Sequence, residues 1–123
     1  MNLYGFDDVF QTLRTTKPKN ENTKEWIAIR DYLEDYDHHP YNDKLQAILS
    51  IFSTIRPGNS NVREWKSLRA DCSVLYAMLN THNTDRIFYA FCYVLSKVQP
   101  SSSNKSEWND IRGAVHRALQ DIP

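Results

Sequence analysis

The chain has 123 residues, a length that suits one domain and leaves little room for a second. Its 15 Lys and Arg residues balance its 15 Asp and Glu residues, so the overall charge gives no attraction to nucleic acid or to an anionic membrane. No apolar run approaches the roughly 20 residues that span a bilayer, and the first residues lack the pattern of a secretory signal. We therefore expect a cytoplasmic or otherwise intracellular protein with no membrane partner.

Apolar residues recur every three or four positions through most of the chain, which predicts six amphipathic helices. The pattern first appears from Phe6 to Leu13, and it returns before two later prolines and after each of the three tryptophans. The third and fifth helices are expected to begin near Asn42 and Thr84, where a capping residue precedes an acidic one. No stretch of useful length alternates as a strand does, so the predicted fold class is all-α.

One sequence pattern occurs three times along the chain. It reads Pro-x-x-x-Asn-x-x-Glu-Trp-x-x-(Ile/Leu)-Arg without a gap, at residues 18–30, 57–69 and 100–112. Each copy is predicted to join the two helices of a hairpin of about 40 residues, within one domain that covers residues 1–123. The three tandem hairpins cover approximately residues 1–42, 43–84 and 85–123. The sequence leaves open whether they form a short solenoid or close into a compact antiparallel bundle.

The start of each second helix is predicted by the Asn and Glu of the pattern, which stand three residues apart as in a capping box. The pairs are Asn22 with Glu25, Asn61 with Glu64 and Asn104 with Glu107. We therefore expect the three asparagines to cap these helices through their side chains. The tryptophans head apolar stripes and are expected in the core, although an aromatic ring near Arg could instead stack on nucleic-acid bases. They are Trp26, Trp65 and Trp108.

The repeated arginines allow two interpretations. Arg30, Arg69 and Arg112 lie four residues after the tryptophans, on the same side of the helix. Their guanidinium groups could stabilise the repeat by stacking on the indole or by bonding the loop carbonyls or carboxylates of a neighbouring repeat. Alternatively, they could form a ladder that contacts an acidic peptide or a phosphate backbone. The corresponding nucleic-acid site would also include Arg63, Lys66 and Lys105.

A protein-binding surface is expected where the repeats differ, because residues shared by all repeats maintain the common frame. Tyr89 and Tyr93 stand four residues apart, off the main apolar stripe of the fifth helix, and could either form an exposed aromatic patch or be buried against a neighbouring repeat. The loops between repeats differ in length and supply further candidates. These are His38, His39, Tyr41 and His82.

Metal binding and catalysis find little support in the sequence. His38 and His39 lie in an acidic segment, but adjacent side chains point in different directions and no helical pair of histidines fixes a metal. For nucleophilic catalysis, the residue types offer only Cys72 with His82 or His116. Cys72 occupies an apolar stripe position, where it acts as a small hydrophobic residue. We therefore expect no enzyme, no metal, no cofactor and no small-molecule substrate.

These observations favour a non-enzymatic helical-repeat module that binds another protein or itself, as an adaptor or as a small subunit of a larger assembly. The alternative is a helical protein that binds nucleic acid through the Arg and Lys residues of its Trp-bearing helices. Charge is uneven along the chain, with a net charge of −3 over residues 1–42, +1 over 43–85 and +2 over 86–123. Such a gradient could orient the molecule toward a charged partner or favour head-to-tail association.

Overall fold

The structure, a computed structural model, describes residues 3–18, 23–58, 61–99 and 105–120, with the side chains of all but Leu3, Lys105 and Ser106. The described residues form six α-helices and no strand, which confirms the all-α class. The helices are α1 (Leu3–Arg14), α2 (Thr23–Glu34), α3 (Tyr41–Thr54), α4 (Val62–Met78), α5 (Thr84–Ser96) and α6 (Lys105–Leu119).

The starts of α3 and α5 lie within a residue of the predicted positions, but their caps are different residues. Pro40 occupies the N-cap position of α3 and contributes no side-chain bond. Asn83 caps α5, because its side chain accepts hydrogen bonds from the backbone N–H groups of Asp85 and Arg86, at 2.9 and 3.2 Å. The cap expected at Thr84 is therefore one residue earlier.

The six helices form a closed ring rather than an open stack. Each helix packs against its neighbours in the chain, and α6 packs against α1. A paired hydrogen bond joins the two ends, with Arg117 Nε 2.7 Å from Asp8 Oδ2 and Arg117 Nη2 3.2 Å from Asp8 Oδ1. Since a solenoid leaves its first and last helices apart, the arrangement is a closed bundle.

The tryptophans of the three sequence repeats meet in the interior of the ring. Trp26, Trp65 and Trp108 are the fourth residues of α2, α4 and α6, and all three are fully buried, as the sequence predicts. Their ring centroids lie 4.7 to 5.1 Å apart, so each indole contacts the other two. The first turns of three helices therefore converge on one cluster, which we call the tryptophan centre.

The three indole N–H groups of the tryptophan centre are buried and donate to no oxygen or nitrogen acceptor. Burying a polar group without a partner costs free energy. The indole planes meet at angles of 50° to 73°, so that ring edges approach ring faces. Because an aromatic edge is positive and an aromatic face negative, this packing offsets part of that cost.

The repeated arginines bond backbone carbonyls at the same relative position in all three units. In each unit, Nη1 donates to the carbonyl oxygen of the residue 14 positions earlier, two residues before the proline of the pattern. The pairs are Arg30 with Thr16 at 3.3 Å, Arg69 with Ile55 at 3.2 Å and Arg112 with Val98 at 2.8 Å. Each arginine thus ties the loop that precedes its helix to the second turn of that helix.

The predicted capping role of Asn61 is wrong. Asn61 occupies the N-cap position of α4 and is nearly buried, but its side chain makes no capping bond. Its backbone is left-handed, with φ 54° and ψ 34°, whereas a capping residue has extended backbone angles. Asparagine tolerates the left-handed region better than most residues, which gives a conformational reason for Asn here. Asn22 and Asn104 lie outside the described residues.

Candidate protein-binding grooves

Two of the tyrosines singled out in the sequence contribute to helix packing. Tyr41 is half-buried, and its hydroxyl donates to Asp85 Oδ1 at 3.2 Å, which links α3 to α5. Burial and the nearby Asp85 carboxylate raise the pKa of Tyr41 well above its ordinary value, so the phenol stays protonated and can donate this bond. Tyr89 is also half-buried, with its ring 5.6 Å from that of Phe88.

The three loop histidines do not converge. His38 is almost fully exposed. His82 is also exposed, and its Nδ1 lies 2.9 Å from the hydroxyl oxygen of Thr81. His39 follows His38 directly in the chain, and its Nδ1 lies 3.3 Å from Asp43 Oδ2. Within the described ranges, no three His, Cys, Asp or Glu side chains are grouped so that they could hold a metal ion.

Tyr93 lies on the surface, and Lys97 Nζ sits 4.8 Å from its ring centroid. Together with Val94 of α5 and with Lys97, which directly follows that helix, it faces Leu68 and Asp71 of α4 across a cavity of about 350 Å³. We call this surface the α4–α5 groove. Arg63 and Glu64 also line it, so its charged side chains are two basic and two acidic.

A second surface is lined by three tyrosines. We define it as the tyrosine groove, a cavity of about 310 Å³ between α2, α3 and α4. Its main lining residues are Tyr32, Tyr36, His39, Asp43, Gln46 and Tyr76. Of these, the sequence predicts only His39 as a contact residue, whereas Tyr36 continues the apolar stripe of Trp26, Ile29 and Leu33. The sequence signal that could have indicated this groove is the pair Tyr32 and Tyr36, which stand four residues apart and are followed by His39.

The aromatic side chains of the tyrosine groove support one another. The ring of Tyr36 lies 5.5 Å from Tyr32 and 5.0 Å from His39 between centroids. Gln46 Nε2 donates to the hydroxyl oxygen of Tyr76 at 3.4 Å. The hydrogen bond with Tyr32, together with the charges of Asp35 and Asp43, raises the pKa of Tyr36. The groove therefore presents phenols beside carboxylates.

The residues proposed for nucleic-acid binding do not gather at this groove. Arg30, Arg69 and Arg112 are half-buried and each donates to a loop carbonyl, while Arg63 and Lys66 are exposed on α4. The side chain of Lys105 lies outside the described residues. One donor of each repeated arginine is thus already used within the fold, on a carbonyl of its own unit rather than on the loop of a neighbouring repeat.

The two cysteines are buried thiols. Cys72 and Cys92 are fully covered by the core. Burial, with a smaller contribution from Asp71, raises the pKa of Cys72 to about 12, and burial also raises the pKa of Cys92. Because the thiolate is the nucleophilic form, neither side chain is activated at neutral pH. His82 and His116 are exposed, so neither is enclosed in the core with Cys72.

Comparisons with protein-family models, with curated proteins and with solved structures find no match for this chain. Among the described helices, none combines the length and the apolar character needed to cross a membrane.

Proposed function

We propose that this protein is a non-enzymatic interaction module that binds another protein through the tyrosine groove, as an adaptor or as a small subunit of an assembly. The observation that carries the proposal is the set of three tyrosines that remain partly exposed around one cavity. Tyrosine is enriched among residues that dominate binding energy, since it supplies a large rigid ring together with a hydroxyl.

Two features of the chain support binding over catalysis. The thiols have raised pKa values, and the tyrosine groove holds no cysteine or lysine that could act as a nucleophile. The repeated Trp and Arg residues are engaged in the frame. The surface that differs from unit to unit is then the part that can select a partner.

The proposal is tested by recovering a partner from extracts of the source cells with tagged wild-type protein and with the double variant Tyr36→Ala/Tyr76→Ala. A Tyr93→Ala variant in the α4–α5 groove serves as the matched control. Any protein lost only with the double variant is purified and titrated by calorimetry. We expect the double variant to weaken binding by about 2 kcal/mol or more, roughly thirtyfold.

Equal binding by the double variant would contradict the proposal, as would a partner lost only with Tyr93→Ala. Titration with labelled single-stranded nucleic acid at two salt concentrations addresses the alternative function. Tight binding that weakens steeply with salt would favour nucleic acid as the ligand, because phosphate contacts release counterions.

A further inference from the structure

We propose that the tyrosine groove recognises an arginine side chain of the partner protein. This inference rests on the proposed function and specifies the chemistry of the partner. It follows from the charge, the aromatic surface and the size of the groove, each of which is set by described residues.

Charge separates the tyrosine groove from the other large surface of the molecule. Its lining residues include Asp43 but no Lys or Arg, and Asp35 adds a second carboxylate near Tyr36. The α4–α5 groove instead balances Arg63 and Lys97 against two acidic residues. The tyrosine groove lies mainly on α3, and Tyr32, Tyr36 and His39 contribute to it from the segment of residues 1–42, which has a net charge of −3. A cationic ligand complements this surface.

The aromatic residues provide faces on which a cation can lie. A guanidinium or ammonium group is attracted to the negative face of a tyrosine ring within about 6 Å of its centroid. Tyr32 and Tyr36 are tilted by 37° with centroids 5.5 Å apart, and Tyr76 lines the same cavity from α4. All three are partly exposed, so their faces remain accessible to a group that enters the groove.

The size of the groove fits one side chain better than a long segment. Its volume of about 310 Å³ is at the lower end of the range of roughly 300 to 1,000 Å³ for pockets that enclose a drug-sized ligand. One long side chain can therefore enter it while the rest of the partner lies across the surrounding surface. Tyr76 lines the groove and is 39% exposed, so part of its surface is available to the portion of the partner that stays outside the groove.

Arginine matches the polar groups of the lining better than lysine does. Its planar guanidinium can stack on a tyrosine ring and still direct several N–H donors sideways. Asp43, the amide oxygen of Gln46 and the hydroxyl of Ser50 are the available acceptor types in the lining. A lysine ammonium is compact and strongly hydrated, so it gains less from stacking and loses more on entry.

The test uses three short peptides with one central residue each, arginine, lysine or citrulline, in an otherwise Gly and Ser sequence. Citrulline keeps the shape of arginine but has no charge. Binding is followed by amide chemical shifts in ¹H–¹⁵N spectra of the protein. We expect the arginine peptide to shift signals of residues around Tyr36 and Tyr76. Its affinity should exceed that for citrulline by about tenfold, and that for lysine by a smaller factor.

Three variants locate the effect. Asp43→Asn removes the charge with little change in shape, and Tyr36→Leu removes an aromatic face. Each should weaken arginine binding by about two- to fivefold, as expected for partly exposed contacts. Tyr93→Leu in the α4–α5 groove is the control and should leave the affinity unchanged. Circular dichroism verifies that each variant is folded.

Equal affinity for arginine and citrulline, absence of binding by the arginine peptide, or full affinity in folded Asp43→Asn would each overturn the inference. These outcomes are distinct from failure of the proposed function. If a protein partner depends on Tyr36 and Tyr76 but the peptides do not discriminate, the groove binds protein without selecting arginine. If the peptides discriminate but no partner depends on the tyrosines, the proposed function is wrong.

Discussion

The tryptophan centre and the tyrosine groove are both clusters of aromatic side chains from the helices. They differ in whether the aromatic residue recurs at the same position in all three sequence units. The tryptophans occupy one position in all three sequence units and are completely buried. The tyrosines occupy positions that change. Six residues after the tryptophan, the chain has Tyr32, Asp71 and Ala114; ten residues after it, Tyr36, Leu75 and Ala118.

This difference separates the residues that hold the six helices together from the residues that make one surface of the bundle unlike another. A side chain required in every unit is one whose surroundings are the same in every unit, as for the three indoles that contact each other. The counterparts of Tyr32 and Tyr36 differ in burial, since Asp71 is exposed whereas Leu75, Ala114 and Ala118 are buried, so these positions have different surroundings in each unit. Substitutions at the two clusters should therefore affect different measurements.

The largest effect is expected from Trp65→Ala in the tryptophan centre. Removal of a fully buried indole leaves a cavity and takes contacts from both partner indoles, so the free energy of unfolding should fall by about 3–5 kcal/mol. Urea unfolding followed by circular dichroism measures this loss. Combining it with Trp26→Ala should cost less than the sum of the single changes, since the two rings share contacts.

Tyr76→Ala is the matched comparison for Trp65→Ala. The ring of Tyr76 is partly exposed, and its hydroxyl accepts a long hydrogen bond from Gln46. The change should alter stability by about 0.5 kcal/mol or less while it weakens partner binding. A Tyr76→Ala loss as large as that of Trp65→Ala would contradict the division between the two clusters.

An intermediate effect is expected at the repeated arginines. Arg69→Met retains much of the aliphatic bulk but removes the donor to the Ile55 carbonyl, a half-buried interaction. The free energy of unfolding should fall by about 1–2 kcal/mol, because that carbonyl loses a charged partner. Thermal and urea unfolding measure the loss. An unchanged stability together with weakened ligand binding would instead favour the ladder interpretation of Arg30, Arg69 and Arg112.

The features that the sequence predicts correctly are those that depend on residues close together in the chain. Helical periodicity placed six helices, and the repeated position of the tryptophans predicted their burial. The closure of the ring was left open, because the bond between Asp8 and Arg117 joins residues 109 positions apart and has no local signal. The tyrosine groove was largely missed for a similar reason. Tyr76 reaches it from α4, a helix that no spacing rule relates to Tyr32 of α2 or to Tyr36, which lies two residues beyond the end of α2.

Variants of Asn61 test a repeated position for which the predicted capping role is wrong. With φ at 54°, Asn61→Gly should be tolerated better than Asn61→Ala or Asn61→Ser, since a residue with a β-carbon pays about 1 kcal/mol or more in the left-handed region. Serine is the informative variant because it keeps a capping oxygen. Urea unfolding of the three proteins gives the order. A serine variant as stable as wild type, with glycine less stable, would restore the capping explanation.

The smallest effect concerns Asp37, an unrepeated loop residue that packs against α1. Gln11 Nε2 donates to Asp37 Oδ1 at 3.1 Å, and Arg14 Nε lies 3.3 Å from the same oxygen. The amide hydrogen bond first, and the arginine charge second, lower the pKa of Asp37 below its ordinary value of 3.8.

Because the folded pKa lies below the unfolded one, Asp37 contributes stability above pH 3.8, and this contribution disappears as the pH falls through the folded value. Asp37→Asn should therefore remove a small part of the acid dependence of unfolding without changing its slope near neutral pH. Gln11→Leu should move the Asp37 pKa, followed by carboxyl NMR titration, back toward 3.8. A pKa that stays depressed in Gln11→Leu would assign the shift to Arg14, and the loop would then be held to α1 by charge rather than by the amide bond.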